Sequence, residues 1–295
     1  MPDRNPALFA AAGHDGLRLI SHDGVKWENV QTGREGETYR TVCFGGGRCI
    51  AVGHFGGSNL FSVTQDGVNW KTYTRDARYS KYLLSVTYAN GEFLGAGGDP
   101  GAVGASQPFV MSSKDGENWT DMRPIEGKNV LRRMAWGKDR FVAVGDRGRR
   151  ATSPNGSTWQ DAANVKATDT LVDVAYGSGL FVGVGLHGLR MTSADGLTWD
   201  HRFPGEEGEH LNSILWTGDR LVAVGMGATY FSSNGLDWER RTNQNAPLAA
   251  VFGNGSFVGC AWKGRLLRSA DAVKWEQVFK SDQHVEAVSF GALGG

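Results

Sequence analysis

The stretch Ser-Ala-Asp-Gly-Leu-Thr-Trp at residues 193–199 decides the fold, because variants of it recur along the whole chain. Successive copies lie roughly 40 residues apart, which is the period of a four-stranded propeller blade. All seven copies end in tryptophan, and they account for seven of the ten tryptophans in the sequence. The terminal residues are Trp27, Trp70, Trp119, Trp159, Trp199, Trp238 and Trp275.

A second shared pattern precedes each copy. Residues 171–185, Leu-Val-Asp-Val-Ala-Tyr-Gly-Ser-Gly-Leu-Phe-Val-Gly-Val-Gly, show it best: two β-branched and aromatic runs flank a glycine-containing turn. No stretch of helical length carries a helical period. Each unit is therefore predicted to contain strand a, a tight turn, strand b, a loop, strand c, the Ser-x-Asp-Gly turn and strand d.

The two ends of the chain complete one unit between them. Residues 285–291 read as a strand a without a strand b, whereas residues 7–13 read as a strand b without a strand a. Pairing them would close the ring and remove an exposed sheet edge. The sequence thus predicts an all-β fold over residues 1–295: a single seven-bladed β-propeller of four-stranded antiparallel blades, with no second domain.

The acidic or amide residue of each copy is predicted to be structural. Asp, Asn and Ser side chains accept hydrogen bonds from the backbone of their own turn, and Gly supplies a positive φ at low cost. These residues are Asp23, Asp66, Asp115, Asn155, Asp195, Asn234 and Asp271. The last copy has Ala272 in the Gly position, which predicts a locally altered turn.

The repeated motif resembles the Asp-box, or bacterial neuraminidase repeat, in a form one residue shorter than Ser-x-Asp-x-Gly-x-Thr-Trp. The resemblance covers all seven units and implies a β-propeller. Members of that group include sialidases, other glycosidases, polysaccharide lyases, lectins, receptor ectodomains and assembly factors, so it does not fix an activity. The Phe/Tyr-Arg-Ile-Pro segment of sialidases is absent, and sialidase activity is not expected.

Composition excludes several classes of function. The chain has 31 basic and 31 acidic residues and a pI near 7.1, so it lacks the cationic field of a non-specific nucleic-acid binder. Mean hydropathy is -0.35 and no long apolar run occurs, so no membrane insertion is expected. The first residues lack the regions of a signal peptide, whereas the resemblance suggests an extracytoplasmic protein. We expect a monomer, and the compartment stays open.

The antiparallel strand order predicts where a site would lie. The a–b and c–d turns share one face of the ring, and the b–c and d–a connections share the other. The second face carries the varied and long connections, at residues 74–82, 98–108 and 123–129. Because binding residues concentrate on varied loops over a rigid scaffold, the site is predicted on this second face.

The residues after strand b and at the start of strand a differ from blade to blade. This favours one asymmetric central pocket over seven equivalent sugar sites. The alternative is that the loop sequences diverged by drift, without a shared binding role. The candidate catalytic residues are His54, His187, Tyr39, Arg132, Arg147 and Asp146. The candidate substrate-binding residues are His14, Arg40, Tyr82, Asp99, Arg133, Asp173, His210, Asn212, Trp262, His284 and Glu286.

These residues predict a carbohydrate-active enzyme acting on an acidic glycan, with a polysaccharide lyase ahead of a glycoside hydrolase. In a uronate lyase, arginines neutralise the sugar carboxylate and a His or Tyr removes the adjacent proton. A hydrolase needs two carboxylates facing one bond. Two alternatives remain: a propeller that binds a glycan or small ligand without turnover, and a protein-interaction or assembly propeller.

No cofactor is predicted, because zinc-site and EF-hand motifs are absent from the sequence. One Gly-x-Gly-x-x-Gly match occurs at residues 183–188, but a predicted strand follows it where a phosphate-binding motif needs a helix. A structural or catalytic metal held by histidines of several blades stays an open alternative. Cys43 and Cys49 flank a predicted hairpin, which leaves a disulfide and two buried thiols both open.

Overall fold

The computed structural model describes residues 7–77, 82–99 and 107–294. Within these residues 28 strands form seven sheets of four antiparallel strands, and one turn of 3-10 helix spans Asp146–Gly148. The first strand of each sheet contacts the first strand of the next, and the last contact closes the ring. The predicted seven-bladed β-propeller is confirmed.

The strands follow one another in the predicted a, b, c, d order. Blades 1 to 3 contain β1 (Leu8–Gly13), β2 (Arg18–Ser21), β3 (Glu28–Gln31), β4 (Thr38–Gly45), β5 (Arg48–Phe55), β6 (Ser58–Thr64), β7 (Lys71–Asp76), β8 (Tyr82–Ala89), β9 (Glu92–Gly98), β10 (Phe109–Ser113) and β11 (Arg123–Pro124). Blades 4 and 5 contain β12 (Leu131–Gly137), β13 (Arg140–Gly145), β14 (Arg150–Ser153), β15 (Gln160–Asp161), β16 (Leu171–Gly177), β17 (Leu180–Gly185), β18 (Arg190–Ser193) and β19 (Asp200–Phe203). Blades 6 and 7 contain β20 (His210–Trp216), β21 (Leu221–Met226), β22 (Ala228–Ser232), β23 (Glu239–Thr242), β24 (Ala249–Gly253), β25 (Ser256–Ala261), β26 (Arg265–Ser269) and β27 (Glu276–Lys280). The final strand, β28 (Val285–Gly291), returns to blade 1.

The two ends of the chain meet in blade 1, as predicted. Strand β28 pairs antiparallel with β1, with Leu8 opposite Gly291 and Ala12 opposite Ala287. Blade 1 therefore takes its strand a from the end of the chain and its other three strands from the beginning. This pairing joins the chain termini through the main-chain hydrogen bonds of a sheet.

The core is divided among the seven junctions between blades, with one apolar cluster at each. Strand β1 shows how one strand serves two junctions. Leu8, Ala10 and Ala12 pack toward blade 2, whereas Phe9 and Ala11 pack toward blade 7. Alternate side chains of a strand point to opposite faces, and both faces of this strand are buried. For this reason β1 is apolar throughout.

The repeated turns carry the predicted hydrogen bonds. In blade 1, Asp23 Oδ1 accepts the N–H groups of Val25 and Lys26, each at 2.8 Å, and Ser21 Oγ accepts the N–H of Gly24 at 2.9 Å. The prediction of an altered turn in blade 7 is wrong. Ala272 itself adopts φ 59°, and Asp271 still accepts both N–H groups at 2.9 Å.

All three cysteines are free thiols. Cys43 lies opposite Ile50 and Cys49 lies opposite Phe44, so the two are not direct cross-strand partners. Cys43 packs toward blade 3 and Cys49 toward blade 1, on opposite faces of blade 2. Within the described residues, no helix has the length and apolar character needed to cross a membrane.

Candidate functional site

A β-bulge near the start of the inner strand is repeated in six of the seven blades. In blade 2, Tyr39 pairs with Gly53 and Thr41 pairs with Val52, which leaves Arg40 as the extra residue of β4. A bulge bends the strand and redirects the side chain of the extra residue. The extra residues are Arg40, Leu84, Arg132, Val172, Asn212 and Glu286. All six line one cavity.

A glycine at the end of strand b makes room for each bulge. A Cβ on Gly53 would lie 1.8 Å from the carbonyl oxygen of Thr38, so only glycine fits opposite the bulged strand. Blade 7 supports this explanation, because it has Ala261 at that position and its inner strand pairs without a register shift. Leu248, directly before β24, is the residue with which blade 7 lines the cavity.

The cavity has a volume of about 570 Å³, within the usual range for small-ligand sites. Every blade contributes at least one lining residue, so the cavity lies on the axis of the ring. It lies at the face formed by the b–c and d–a connections, where the inner strands begin. The lining residues are Arg40, His54, Tyr82, Leu84, Arg132, Arg133, Val172, Asn212, Leu248 and Glu286.

One side of the cavity is a cluster around the Glu286 carboxylate. Arg40 Nη1 donates to Glu286 Oε1 at 3.1 Å. The Nε2 atoms of His14 and His284 lie 3.6 and 3.3 Å from the other carboxylate oxygen. Burial lowers the pKa of His284, although the Glu286 charge acts in the opposite direction. Because Arg40 and Glu286 form an ion pair, their formal charges offset each other.

Blade 4 supplies two further arginines. Arg132 forms a two-point ion pair with Asp146, in which Nη2 donates to Oδ2 at 3.0 Å. Arg133 donates to the carbonyl oxygens of Leu84 and Arg132, at 3.3 and 3.0 Å. In the described part of the chain no carboxylate forms a salt bridge with Arg133. The cavity therefore presents one guanidinium without a salt-bridge partner.

His54 lies between the guanidinium of Arg40 and the ring of Tyr82. Its Nε2 lies 3.4 Å from Arg40 Nη2, and its ring packs on that of Tyr82 with 4.6 Å between centroids. Burial lowers the pKa of His54, and the positive charges of Arg40 and His14 lower it further against the effect of Glu286. The lowered pKa of His54 favours the neutral imidazole, which is the form that can accept a proton.

Many of the polar residues predicted from sequence come together here. Seven of them line the cavity, namely Arg40, His54, Tyr82, Arg132, Arg133, Asn212 and Glu286. His14, His284 and Asp146 contact these lining residues. Trp262 stacks on His284 with 5.5 Å between ring centroids. These residues thus lie in or beside one cavity on the axis of the ring.

Two predicted residues do not face the cavity. Tyr39 is 0% exposed and packs in the core between blades 1 and 2, 5.6 Å below the guanidinium of Arg18. The Asp173 carboxylate accepts the N–H groups of Val174 and Ile214, each at 2.9 Å, and so ties β16 to β20. The prediction that these side chains face a ligand is wrong, because the bulge turns the neighbouring Arg40 and Val172 into the cavity instead.

The remaining predicted residues lie around the rim. His187 and His210 pack together with 5.4 Å between ring centroids, and the His187 N–H donates to His210 Nδ1 at 3.3 Å. Arg147 is exposed in the 3-10 turn with φ 53°, and Asp99 follows β9. Of the long connections, residues 78–81 and 100–106 lie outside the described residues.

Sequence reasoning missed the apolar part of the wall, formed by Leu84, Val172 and Leu248. The candidates from sequence are all polar or aromatic. A signal was present nonetheless: in six blades the cavity residue directly follows the strand-a residue that pairs with the glycine near the end of strand b. Applied to blades 3 and 5, that rule selects Leu84 and Val172.

The described residues contain no group of three or more His, Cys, Asp or Glu arranged to hold a metal ion. The alternative of a metal held by histidines therefore gains no support from the cluster around Glu286. There Arg40 already occupies one carboxylate oxygen as a hydrogen-bond donor.

No protein-family model and no curated protein matches the chain. The resemblance to Asp-box repeats therefore stays a prediction. Comparison with solved structures gives propellers of several kinds. YCF48 bound to D1 peptide matches with a TM-score of 0.64 at 17% identity, over 91% of this chain and 92% of that chain.

Two other propellers match at lower sequence identity. Virginiamycin B lyase from Staphylococcus aureus has a TM-score of 0.65 at 10% identity, over 81% of this chain and 83% of its own. The WD40 propeller domain of Doa1 has a TM-score of 0.63 at 12% identity, over 96% and 88%. At such identities the likeness establishes the fold and no activity.

Proposed function

We propose that this protein is a binding propeller that holds a carboxylate-bearing peptide in its central cavity. The observation that carries the proposal is the guanidinium of Arg133, which lines the cavity without a salt-bridge partner among the described residues. Arginine is suited to such a role because its planar group binds a carboxylate through two parallel hydrogen bonds.

The other two cavity arginines are already offset. Arg40 and Arg132 are each paired with one carboxylate, Glu286 and Asp146, which leaves Arg133 as the guanidinium without a salt bridge among the described residues.

Asp173 interacts electrostatically with Arg133, and burial raises the pKa of Asp173 against the effect of that positive charge. The Asp173 carboxylate is also engaged by the N–H groups of Val174 and Ile214. A carboxylate from a ligand would interact more strongly with Arg133 here than in bulk water, because the effective dielectric constant near a protein surface is lower than that of water.

The apolar wall favours a peptide over a sugar. Leu84, Val172 and Leu248 present aliphatic side chains, whereas sugar rings are usually held against flat aromatic faces. Tyr82 is the tyrosine of the cavity wall, and its ring already packs on His54 while its hydroxyl donates to Gly56 O at 2.8 Å. The exposed indole of Trp262 lies outside the cavity lining, with one face stacked on His284. An aliphatic side chain next to a carboxylate fits this mixture of surfaces. YCF48, a propeller of similar fold, has been solved with a peptide bound.

The proposal is tested with a fluorescently labelled peptide, Leu-Phe-Leu-Asp-Glu, and its neutral analogue Leu-Phe-Leu-Asn-Gln with an amidated C-terminus. The acidic peptide is expected to bind more tightly, and Arg133→Gln is expected to weaken it by about tenfold or more. Arg220→Gln is the matched control, since Arg220 is half exposed in a turn on the opposite face. Equal affinity for the two peptides would refute the proposal.

A uronate lyase is the second candidate, and His54 is the observation that favours it. A neutral imidazole beside Arg40 has the chemistry to remove a proton next to a sugar carboxylate that the arginines neutralise. A hydrolase is less well supported, because Glu286 is the one carboxylate among the described lining residues and is engaged by Arg40. Ultraviolet absorbance growing on oligogalacturonate, and abolished by His54→Ala, would select the lyase over the peptide-binding propeller.

A further inference from the structure

Large apolar side chains are exposed on the cavity face at one repeated position. Leu186, Met226 and Trp262 directly follow the end of strand b or its glycine in blades 5, 6 and 7, and they are 41%, 56% and 64% exposed. The same position holds His14 in blade 1, His54 in blade 2 and Asp146 in blade 4. The rim of the cavity is thus apolar on one side and polar on the other. We call Leu186, Met226 and Trp262 the apolar rim.

Backbone pairing joins the first part of this rim into one surface. Leu186 of blade 5 forms a β-bridge with His210 of blade 6, and His210 is the strand partner of Met226. Residues paired across strands project to the same side of the sheet, so these three side chains share one side. In blades 1 and 2 the same bridge joins His14, Thr38 and His54, which makes the polar counterpart.

Trp262 extends the rim toward the charged cluster. One face of its indole stacks on His284, with ring planes 20° apart, and His284 contacts Glu286 of the cavity. The side chain is nevertheless 64% exposed. Exposed large apolar groups that are grouped beside a binding cavity mark an interaction surface, whereas scattered single ones do not. Through its contact with His284, which in turn contacts Glu286, Trp262 connects the apolar rim to the cavity wall.

We propose that the apolar rim holds apolar side chains of an extended peptide segment from a partner protein, while a carboxylate of the same segment enters the cavity. This inference rests on the proposed function and specifies its partner. Charge complementarity selects the acidic group, because Arg133 has no salt-bridge partner among the described residues. Met226 and Leu186 select aliphatic or aromatic side chains, because flexible thioether and aliphatic groups adapt to varied apolar shapes.

The test compares the rim with a matched apolar set on the opposite face. The rim variant carries Leu186→Ser, Met226→Ser and Trp262→Ser. The control variant carries Val25→Ser, Val68→Ser and Leu236→Ser in the repeated turns, where the side chains are 46%, 45% and 36% exposed. The two probes are the labelled peptides Leu-Phe-Leu-Asp-Glu and Ser-Ser-Ser-Asp-Glu.

The rim variant is expected to bind the leucine-containing peptide about tenfold more weakly and the serine-containing peptide as the unmodified protein does. The second result also shows that the variant is folded. The control variant should bind both peptides normally. If the rim and control variants behave alike, the inference fails while the acidic cavity function stands. If neither acidic peptide binds the unmodified protein, the proposed function fails first.

Sedimentation of the unmodified protein and of the rim variant tests whether a second copy of this chain occupies the apolar rim. A concentration-dependent dimer that the rim substitutions abolish would assign the apolar rim to a second copy of this chain and overturn the inference. A monomer in both cases agrees with a separate partner.

Discussion

The carboxylate of Asp23 shows how one side chain fixes a repeated turn. It accepts two backbone N–H groups within its own turn, and these hydrogen bonds lower its pKa below 3.8. In blade 4 the uncharged Asn155 accepts the corresponding N–H groups of Ser157 and Thr158, both at 2.9 Å. The turn therefore requires an acceptor oxygen and does not require a charge.

Asp23→Asn is expected to leave stability unchanged at neutral pH, whereas Asp23→Ala should lose about 1 kcal/mol because two hydrogen bonds are removed. The folded-state pKa is depressed, so the stabilisation is present above 3.8 and is lost as the pH falls below it. Asp23→Asn should weaken this acid-dependent loss. Urea denaturation of the three proteins across this pH range measures it. Equal destabilisation by Asn and Ala at neutral pH would show that the charge matters.

The roles of single residues were predictable where the cause is local. The function of Asp23 follows from its place in a short turn. Asn155 occupies the equivalent place in blade 4 and accepts the corresponding backbone N–H groups. Tyr39 was misplaced because its exposure depends on a neighbouring blade. The sequence around Tyr39 does not show that Arg18, a residue of blade 1, lies over the Tyr39 ring.

At the scale of the strand, buried arginines join neighbouring blades. Arg190 at the start of β18 is 5% exposed, and its guanidinium lies 3.7 Å from the ring centroid of Tyr230 in blade 6. Arg18 and Arg150 occupy the same place in β2 and β14 and lie over aromatic rings of the following blades. Three of the seven repeats contain this arginine. Its burial was not predicted from the sequence, because charged residues are usually exposed.

Arg190→Ala is expected to destabilise the protein by about 2 to 3 kcal/mol, because it removes a desolvated cation–π contact and buried hydrogen bonds. Arg190→Lys should recover less than half of this, since an ammonium cannot both stack on Tyr230 and donate to Gly188 O and Pro204 O. Thermal unfolding measures both variants. Arg265→Ala is the control: Arg265 begins strand c of blade 7, one residue before the position equivalent to Arg190, and its side chain is more exposed. A loss as large at Arg265 would contradict the stacking explanation.

The bulge is the strand-level feature that builds the site. The glycine that permits it was visible at the end of six b strands, and Ala261 in blade 7 was visible as the exception. Its consequence was not visible, because a one-residue shift reverses the face to which a side chain points. Arg40 and Val172 therefore line the cavity in place of Tyr39 and Asp173.

At the scale of the whole molecule, β28 closes the ring. It pairs with β1 and also contacts the inner strands of blades 2 and 7. Without it, the edges of blade 1 and the apolar clusters on both sides of that blade would be exposed to solvent. The seven junctions thus form one cooperative unit.

Deleting residues 285–295 is expected to abolish cooperative unfolding and to cause aggregation, because an open ring exposes strand edges and core. The control is a circular permutant in which residues 285–294 precede residue 7 through a short turn. It should unfold within a few degrees of the parent, since Gly291 already lies opposite Leu8. Calorimetry distinguishes the outcomes. A truncated chain that unfolds like the parent would show that closure contributes little.

The sequence by itself determined the blade number, the strand order, the turn chemistry and the shared terminal blade, because each depends on contacts within one repeat or on counting repeats. It also located the polar residues on the face where the cavity lies. The composition of the cavity was decided by the tertiary structure alone. Each blade contributes at least one side chain to it, and the direction of six of these depends on a bulge. Their proximity depends on ring closure, which brings together Glu286 and Arg40, residues distant in the chain.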